Sequence, residues 1–209
     1  GIVVDQMRYE YLSRFNQFYG HDGFNRLMHD GSNFTFAHYN YDFTSTGPGH
    51  ASIYTGTVPF YHGLIANDFY DKQKRKMTNC VEDNYYTTVG SDDKEGEKSP
   101  KYLLSTTITD QLKLFTNGRS KVISVSLKDR GAILPGGHLA DGAYWYDEKT
   151  GDFITSSYYM SSLPQWVEDF NKRKLVEQYL SEDWNLLLPL KNYLINPADN
   201  SEYEKDRFK

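Results

Sequence analysis

The chain has 209 residues, 38% hydrophobic and 16% aromatic, with 23 Lys and Arg against 28 Asp and Glu for a formal charge of −5. That length supports one sizeable core, because large rings offset a lean aliphatic content, and interspersed charges of both signs argue against disorder and against nucleic acid as a specific ligand. No window reaches the roughly 20 apolar residues of a membrane span, and the lone Cys80 excludes an intrachain disulfide without deciding the compartment.

Taken in chain order, Ile2 to Val4 is a short β-branched run ending in Asp5. It reads as a buried strand with nothing before it, so a preceding segment is expected. Leu12, Phe15 and Phe18 recur at helical spacing and predict a helix from Arg8 to about Phe18. Gly23 to His29 predicts a second helix closed by Asp30-Gly31, and Phe34, Phe36 and Ala37 a strand. Thr44 to Gly56 carries a turn and then a helix stopped by glycine, with Thr46 at its front. Thr87 to Pro100 is polar and of mixed charge and reads as a surface loop. Thr107 to Phe115 predicts a helix ended by Asn117-Gly118, and Lys121 to Leu127 alternates as a strand. Beyond Leu163, Trp166, Val167, Phe170, Leu175, Tyr179 and Leu180 predict helix, and the stretch from Asn196 is polar without a recognisable stop. Strands interleaved with helices predict a layered α/β domain. No internal repeat is present.

Four places carry candidate chemistry, and each has an ordinary structural reading beside it. Asp5 ends the first strand, where open α/β sheets put ligand and metal sites, yet an Asp there also caps helices or sits in turns. Thr46 precedes Gly47-Pro48-Gly49 and a helix, so its hydroxyl and several free N–H groups would face one point, a natural seat for an anion. It could equally be a plain N-cap. A free threonine hydroxyl is a poor nucleophile and needs a base or a metal to deprotonate it. Lys128 and Arg130 flank Asp129 at a strand end, a point charge and a planar fork that could share one phosphoryl group. A solvated surface turn is the alternative. Asn67 could donate its amide to a phosphate oxygen, or simply make a turn with Asp68.

Together these blocks form a recognisable ensemble. Val3-Val4-Asp5-Gln6-Met7-Arg8, Thr46-Gly47-Pro48-Gly49-His50-Ala51-Ser52-Ile53-Tyr54-Thr55-Gly56, His62-Gly63-Leu64-Ile65-Ala66-Asn67-Asp68 and Ser126-Leu127-Lys128-Asp129-Arg130 resemble the phosphate-irrepressible alkaline phosphatases, the threonine-nucleophile branch of the alkaline phosphatase superfamily. These are related to the type I phosphodiesterases and nucleotide pyrophosphatases. The resemblance covers roughly residues 1 to 160. It implies an α/β fold with a central, mostly parallel sheet and helices on both faces, incomplete in this chain. Residues 1–162 would be the N-terminal part of the catalytic domain, and 163–209 a helical and polar continuation read as part of a cap or insertion.

By the same resemblance, Thr46 is the catalytic nucleophile, Asp5 and Thr46 contact a zinc ion, and Asn67, Lys128 and Arg130 bind the phosphoryl oxygens. The implied reaction is phosphate monoester hydrolysis through a phosphothreonine, with two zinc ions and a periplasmic or secreted setting. The family completes its zinc sites with an aspartate four positions ahead of a histidine and with an adjacent Asp-His pair. Neither occurs around His21, His29, His38, His50, His62 or His138, so all six are read as structural or surface residues, with helix packing or backbone contacts assigned to His50 and His62. The chain alone is therefore expected not to turn over.

Lys128 and Arg130 favour a monoester over a diester, whose transferred group carries one negative charge fewer. The phosphodiesterase or pyrophosphatase reading is the nearest alternative. Cys80 lacks a sulfatase-like CxPxR setting, and phosphoglycerate-mutase relatives use a serine in another context. A non-catalytic phosphate-binding module is the alternative from a different class; a reading frame that continues with aspartate and histidine ligands would favour the enzyme.

Overall fold

The computed structural model describes residues 1–183 and 185–193. The polar stretch from Asn196 lies outside the described residues. In order, the helices are α1 (Tyr11–Arg14), α2 (Phe24–Asp30), α3 (Thr46–Thr55), α4 (Pro59–His62), α5 (Ile108–Phe115), α6 (Asp129–Gly136), α7 (Gln165–Asn171) and α8 (Leu175–Leu180). The strands are β1 (Asp68–Asp71), β2 (Lys76–Asn79), β3 (Thr88–Val89), β4 (Ile123–Ser126), β5 (Gly142–Tyr146) and β6 (Phe153–Ser156).

A four-stranded sheet in the order β3-β6-β5-β4 forms the centre, and β1 and β2 make a separate antiparallel hairpin. β4 and β5 run parallel, joined through α6 as a βαβ unit, while β6 is antiparallel to both β5 and β3. The α/β class is as expected. Parallel pairing is confined to β4 and β5 among the described strands, so the sheet here is mixed rather than mostly parallel. On one face Ala143 and Trp145 of β5 join Ala132, Ile133 and Leu134 of α6 and Ala51 of α3 in the core. On the other, Tyr144 meets Trp166 of α7 edge to face at 5.1 Å, as the two-residue alternation of a strand requires.

Two predicted strands are absent. Residues 1–4 run beside β4, sharing a cleft wall with it, but no ladder hydrogen bond joins them and Ile2 is 89% exposed. Residues 34–37 turn instead, leaving Phe34 and Phe36 exposed. A β-branched or aromatic run needs a hydrogen-bonding partner to become a strand, and neither stretch finds one. The predicted helix from Arg8 to Phe18 breaks at Phe15 into α1 and a 3-10 turn, because no residue of α1 is buried to hold a longer helix down.

The stretch from Thr87 to Pro100 is also no loose loop. It contains β3, makes a bridge between Glu82 and Lys98, and donates the Gly96 N–H to Thr88 Oγ1 at 2.8 Å. Gly96 is required there, since a Cβ would lie 2.5 Å from the Thr88 Cα and 2.6 Å from the Thr155 carbonyl oxygen.

α5 opens with a capping box, Thr107 Oγ1 accepting the Asp110 N–H and Asp110 Oδ2 accepting the Thr107 N–H, both at 3.0 Å. Asp110, buried, also accepts from the Leu139 N–H at 2.8 Å and from His138 Nδ1 at 3.1 Å, while His138 Nε2 faces the Leu103 carbonyl at 2.9 Å. Both ring nitrogens thus face acceptors, which suits the imidazolium. The Asp110 hydrogen bond raises the His138 pKa, and the converging donors bring Asp110 down to about 2 in spite of its burial. The structural role expected for His138 matches this geometry.

A raised pKa in the folded state adds stability that is complete below the unfolded value near 6.5 and is lost as pH rises through the folded value. Urea midpoints from pH 6 to pH 8 are expected to fall in the wild type along that window and to lose this slope in His138→Gln; an unchanged slope would show that the pair is not coupled to folding. Asp110→Ala, which strands His138 and two buried N–H groups, is expected to cost about 3–5 kcal/mol in the same assay.

Candidate active site

α3 begins at Thr46, with Ser45 as N-cap in the extended region and no side-chain cap. Thr46 is therefore not the capping residue that its position in the sequence allowed. Its Oγ1 donates to Asp5 Oδ2 at 3.1 Å, 41 residues away in sequence. This contact brings the two candidates together although 1–4 never pair as a strand, because the chain leaves the cleft beside β4 at the level where α3 starts. Asp5 is exposed and Thr46 half-buried, and both line a cleft of about 470 Å³ together with Val3, His50, Ser126 and Lys128.

Asn67 sits beneath the same helix end. Its Oδ1 accepts the Gly47 N–H at 2.7 Å, which fixes the amide orientation and leaves Nδ2, a donor, with no partner among the described residues. Gly47 has no space for a side chain: a Cβ would stand 3.0 Å from Cys80 Sγ and 3.2 Å from Asn67 Oδ1. Burial pushes the Cys80 thiol up to about 12, so the one cysteine is an inert packing group under the helix end.

His50 lies one turn into α3, its Nδ1 at 2.8 Å from the Thr46 carbonyl oxygen. The hydrogen must sit on Nδ1, so the neutral ring presents Nε2 as an acceptor. His62 is fully buried: Leu64 N–H donates to Nδ1 at 3.2 Å, and Nε2 faces Ser52 Oγ at 2.9 Å, which in turn meets the Tyr41 hydroxyl at 3.0 Å. Burial lowers the His62 pKa and keeps it neutral. Both histidines make the backbone contacts assigned to them from the sequence. Tyr39, which sequence reasoning passed over, stands near Asp5; burial first, then Tyr41 and the Asp5 charge, raise its pKa and keep it protonated.

Lys128 caps α6 and is exposed, its Nζ pairing with Glu148 Oε1 at 3.1 Å. Arg130 is half-buried one residue into α6 and opens on an adjoining cleft of about 280 Å³, lined also by Lys128, Asp129, Trp145 and Glu148. Lys128 borders both clefts. The structure thus brings Asp5, Thr46 and Lys128 into one wall, ties Asn67 to the backbone next to Thr46, and sets Arg130 on the far side of Lys128.

A tetrahedral zinc with ligand oxygens about 2.0 Å away separates neighbouring oxygens by about 3.3 Å. The spacing of 3.1 Å between Thr46 Oγ1 and Asp5 Oδ2 suits two donors on one such ion. Among the described residues, however, no group of three or more His, Cys, Asp or Glu could hold a metal. These two side chains fit as part of a site and not as a whole one.

Comparison with known proteins bears on the family and the fold. The profile of the type I phosphodiesterase / nucleotide pyrophosphatase family matches residues 1–207. Alkaline phosphatase PhoV of Synechococcus elongatus is 53% identical over 205 residues, which is 98% of this chain and 37% of PhoV. The crystal structure of wild-type alkaline phosphatase PafA superposes with a TM-score of 0.94 at 48% identity over 97% of this chain and 39% of that one. A PafA variant substituted at one threonine, one asparagine, one lysine and one arginine superposes with a TM-score of 0.92 at 45% identity, covering the same shares. The chain therefore spans less than two fifths of these relatives, and it belongs to the type I phosphodiesterase / nucleotide pyrophosphatase family within the alkaline phosphatase fold.

Proposed function

We propose that this chain carries the nucleophile and the phosphoryl-binding groups of a zinc-dependent phosphate monoester hydrolase that works through a phosphothreonine. The observation that carries the reading is the hydrogen bond of 3.1 Å between Thr46 Oγ1 and Asp5 Oδ2, made at the end of a buried helix and on one cleft wall with Lys128. The solved PafA variant supports the residue set: its threonine and asparagine are 21 apart and its lysine and arginine two apart, the same separations as Thr46 to Asn67 and Lys128 to Arg130. PhoV and PafA are both named alkaline phosphatases.

In this reading a monoester enters with its phosphoryl group against the N-terminus of α3. Asn67, its carbonyl oxygen held by Gly47, donates Nδ2–H to one oxygen. Lys128 gives up Glu148 for another, and Arg130 adds its fork. Asp5 orients the Thr46 hydroxyl and, with it, would supply two donors to zinc, which when bound lowers the hydroxyl pKa. Thr46 Oγ1 gives its proton to solvent and forms a bond to phosphorus as the bond to the leaving oxygen breaks, and that oxygen takes up a proton from water to depart as the alcohol. Water then cleaves the phosphothreonine and frees inorganic phosphate. Preorganised donors matter most here, because the charge on the transferred group is large before and during the step. The remaining metal donors are not among the described residues, so the 209 residues alone are expected to be inactive. A periplasmic or secreted location belongs to the same proposal and is open to test by cell fractionation.

In the longest form of the protein supplied with zinc, Thr46→Ala is expected to lose at least about a thousandfold in turnover of an aryl phosphate. Near wild-type rates in that variant would remove Thr46 from the chemistry. Replacing Lys128 and Arg130 together by alanine should cost the monoester roughly tenfold or more beyond the diester. Equal losses on both substrates would move the assignment to a phosphodiesterase or pyrophosphatase, the alternative that the family membership itself keeps in view.

A further inference from the structure

Asp129 stands between the two cations, and nothing in the sequence gives it a task. In the structure it holds a cation on each oxygen. Oδ2 pairs with Lys98 Nζ at 3.1 Å, while Oδ1 accepts the Arg130 N–H at 2.6 Å and lies 3.3 Å from Arg130 Nη1. The three side chains are mostly removed from water, with 15%, 13% and 20% exposure for Lys98, Asp129 and Arg130. Their mutual attraction is therefore less screened than that of a surface pair.

Arg130 Nε is buried and makes no hydrogen bond among the described residues. A buried donor left unpaired is uncommon and calls for a partner. Nε and Nη2 together form one edge of the guanidinium, two parallel N–H groups spaced for two oxygens of one phosphate. Among the described residues no hydrogen-bond partner engages that edge, since Asp129 touches Nη1 only.

We propose that Lys98 is a positioning residue for Arg130, acting through Asp129. A carboxylate next to an arginine tends to close a two-point contact on the fork and so compete with phosphate. By occupying Oδ2, Lys98 restricts Asp129 to a one-sided grip on Nη1 and leaves the Nε–Nη2 edge without a carboxylate on it. Lys98 borders neither cleft, so it is not itself a phosphate ligand. Its backbone is held on both sides: Asp83 N–H donates to the Glu97 carbonyl at 2.8 Å and Ser99 N–H to the Val81 carbonyl at 2.9 Å, with Glu82 and Lys98 bridged between them. The segment from Gly96 to Ser99, none of which lines either cleft, would thereby tune phosphate affinity indirectly. The proposal rests on the reading of Arg130 as a phosphoryl ligand.

The test is the affinity of inorganic phosphate, measured by titration calorimetry on the zinc-supplied protein in its longest form, for wild type, Lys98→Met, Lys98→Arg, Arg130→Ala and the Lys98→Met, Arg130→Ala pair. Lys98→Met is expected to weaken phosphate on the order of tenfold when Arg130 is present and not at all when it is alanine. Lys98→Arg should restore the affinity. An equal loss in both backgrounds would mean that Lys98 acts through its general field or through folding, and would overturn the proposal, as would full affinity in Lys98→Met. If Arg130→Ala itself binds phosphate as the wild type does, the ligand reading of Arg130 fails first and the role of Lys98 goes with it. Thermal unfolding of the same set separates a loss of fold from a loss of positioning, since only the former is independent of Arg130.

Discussion

The close approach of the α3 N-terminus to its surroundings is the constraint on which the site depends. Gly47 lies against Cys80 and Asn67, and Gly131 of α6 leaves so little room that an added Cβ would stand 2.5 Å from Ser126 Oγ. α3, α6 and β4 can therefore meet without side chains between them, and the groups at their ends converge. Thr46 leads α3, Lys128 and Arg130 open α6, and Ser126 ends β4. A methyl group at Gly47 or Gly131 would force these elements apart by tenths of an ångström, and the hydrogen bond from Gly47 to Asn67 would be the first to stretch.

Histidines do quite different work in this scaffold than their number suggests. His50 pins the carbonyl of Thr46, His62 locks α4 to α3 as a buried neutral ring, and His138 is a hydrogen-bonded partner of Asp110 below α5. His62 and His138 have opposite pKa shifts for one physical reason, since burial without a charge favours the neutral ring and burial against a carboxylate favours the cation. Acidification thus loads His62 unfavourably while leaving the His138 pair intact, and alkalinity does the reverse. Folding stability from this pair of rings is greatest between their two titrations.

How much of this was legible in the sequence depends on the range of the interaction that decides each feature. α3, α5 and the turn at Asn117-Gly118 were legible because their caps and glycines lie within a few residues: Gly56 adopts φ 67° and Asn117 φ 49°, as their residue types allow. β5, β6, α6 and the β1–β2 hairpin went unseen in the sequence. Pro135 and several glycines make α6 look like a loop, yet Ile133 and Leu134 are fully buried and tertiary packing holds the helix. The run from Ile2 to Val4 failed the other way, since local β-propensity cannot supply a pairing edge. At the site, Asp5 and Thr46 were legible as an ensemble of motifs, whereas Lys98 was not. Its link to Asp129 spans 31 positions and has no local pattern.

In the proposed reading, the distribution of charge accounts for cations that would meet a phosphate being paired with carboxylates in its absence. A chain of net charge −5 repels a dianion at long range, so affinity has to come from cations within contact distance. Two unopposed cations in a cleft would repel each other and misalign. Glu148 opposite Lys128 and Asp129 beside Arg130 remove that strain while the site waits. The two pairs differ in how readily they open. Lys128 and Glu148 are largely exposed, so the pair is weak and, in the proposed reading, a phosphate with two charges would displace it at little expense. Asp129 is half-buried and anchored by Lys98, so it stays in place, and in the proposed reading Arg130 would bind with the edge that Asp129 does not touch. In the proposed reading one cation would be released by its substrate while the other is held in a fixed orientation, which would give the phosphoryl group a mobile point charge on one side and a rigid fork on the other.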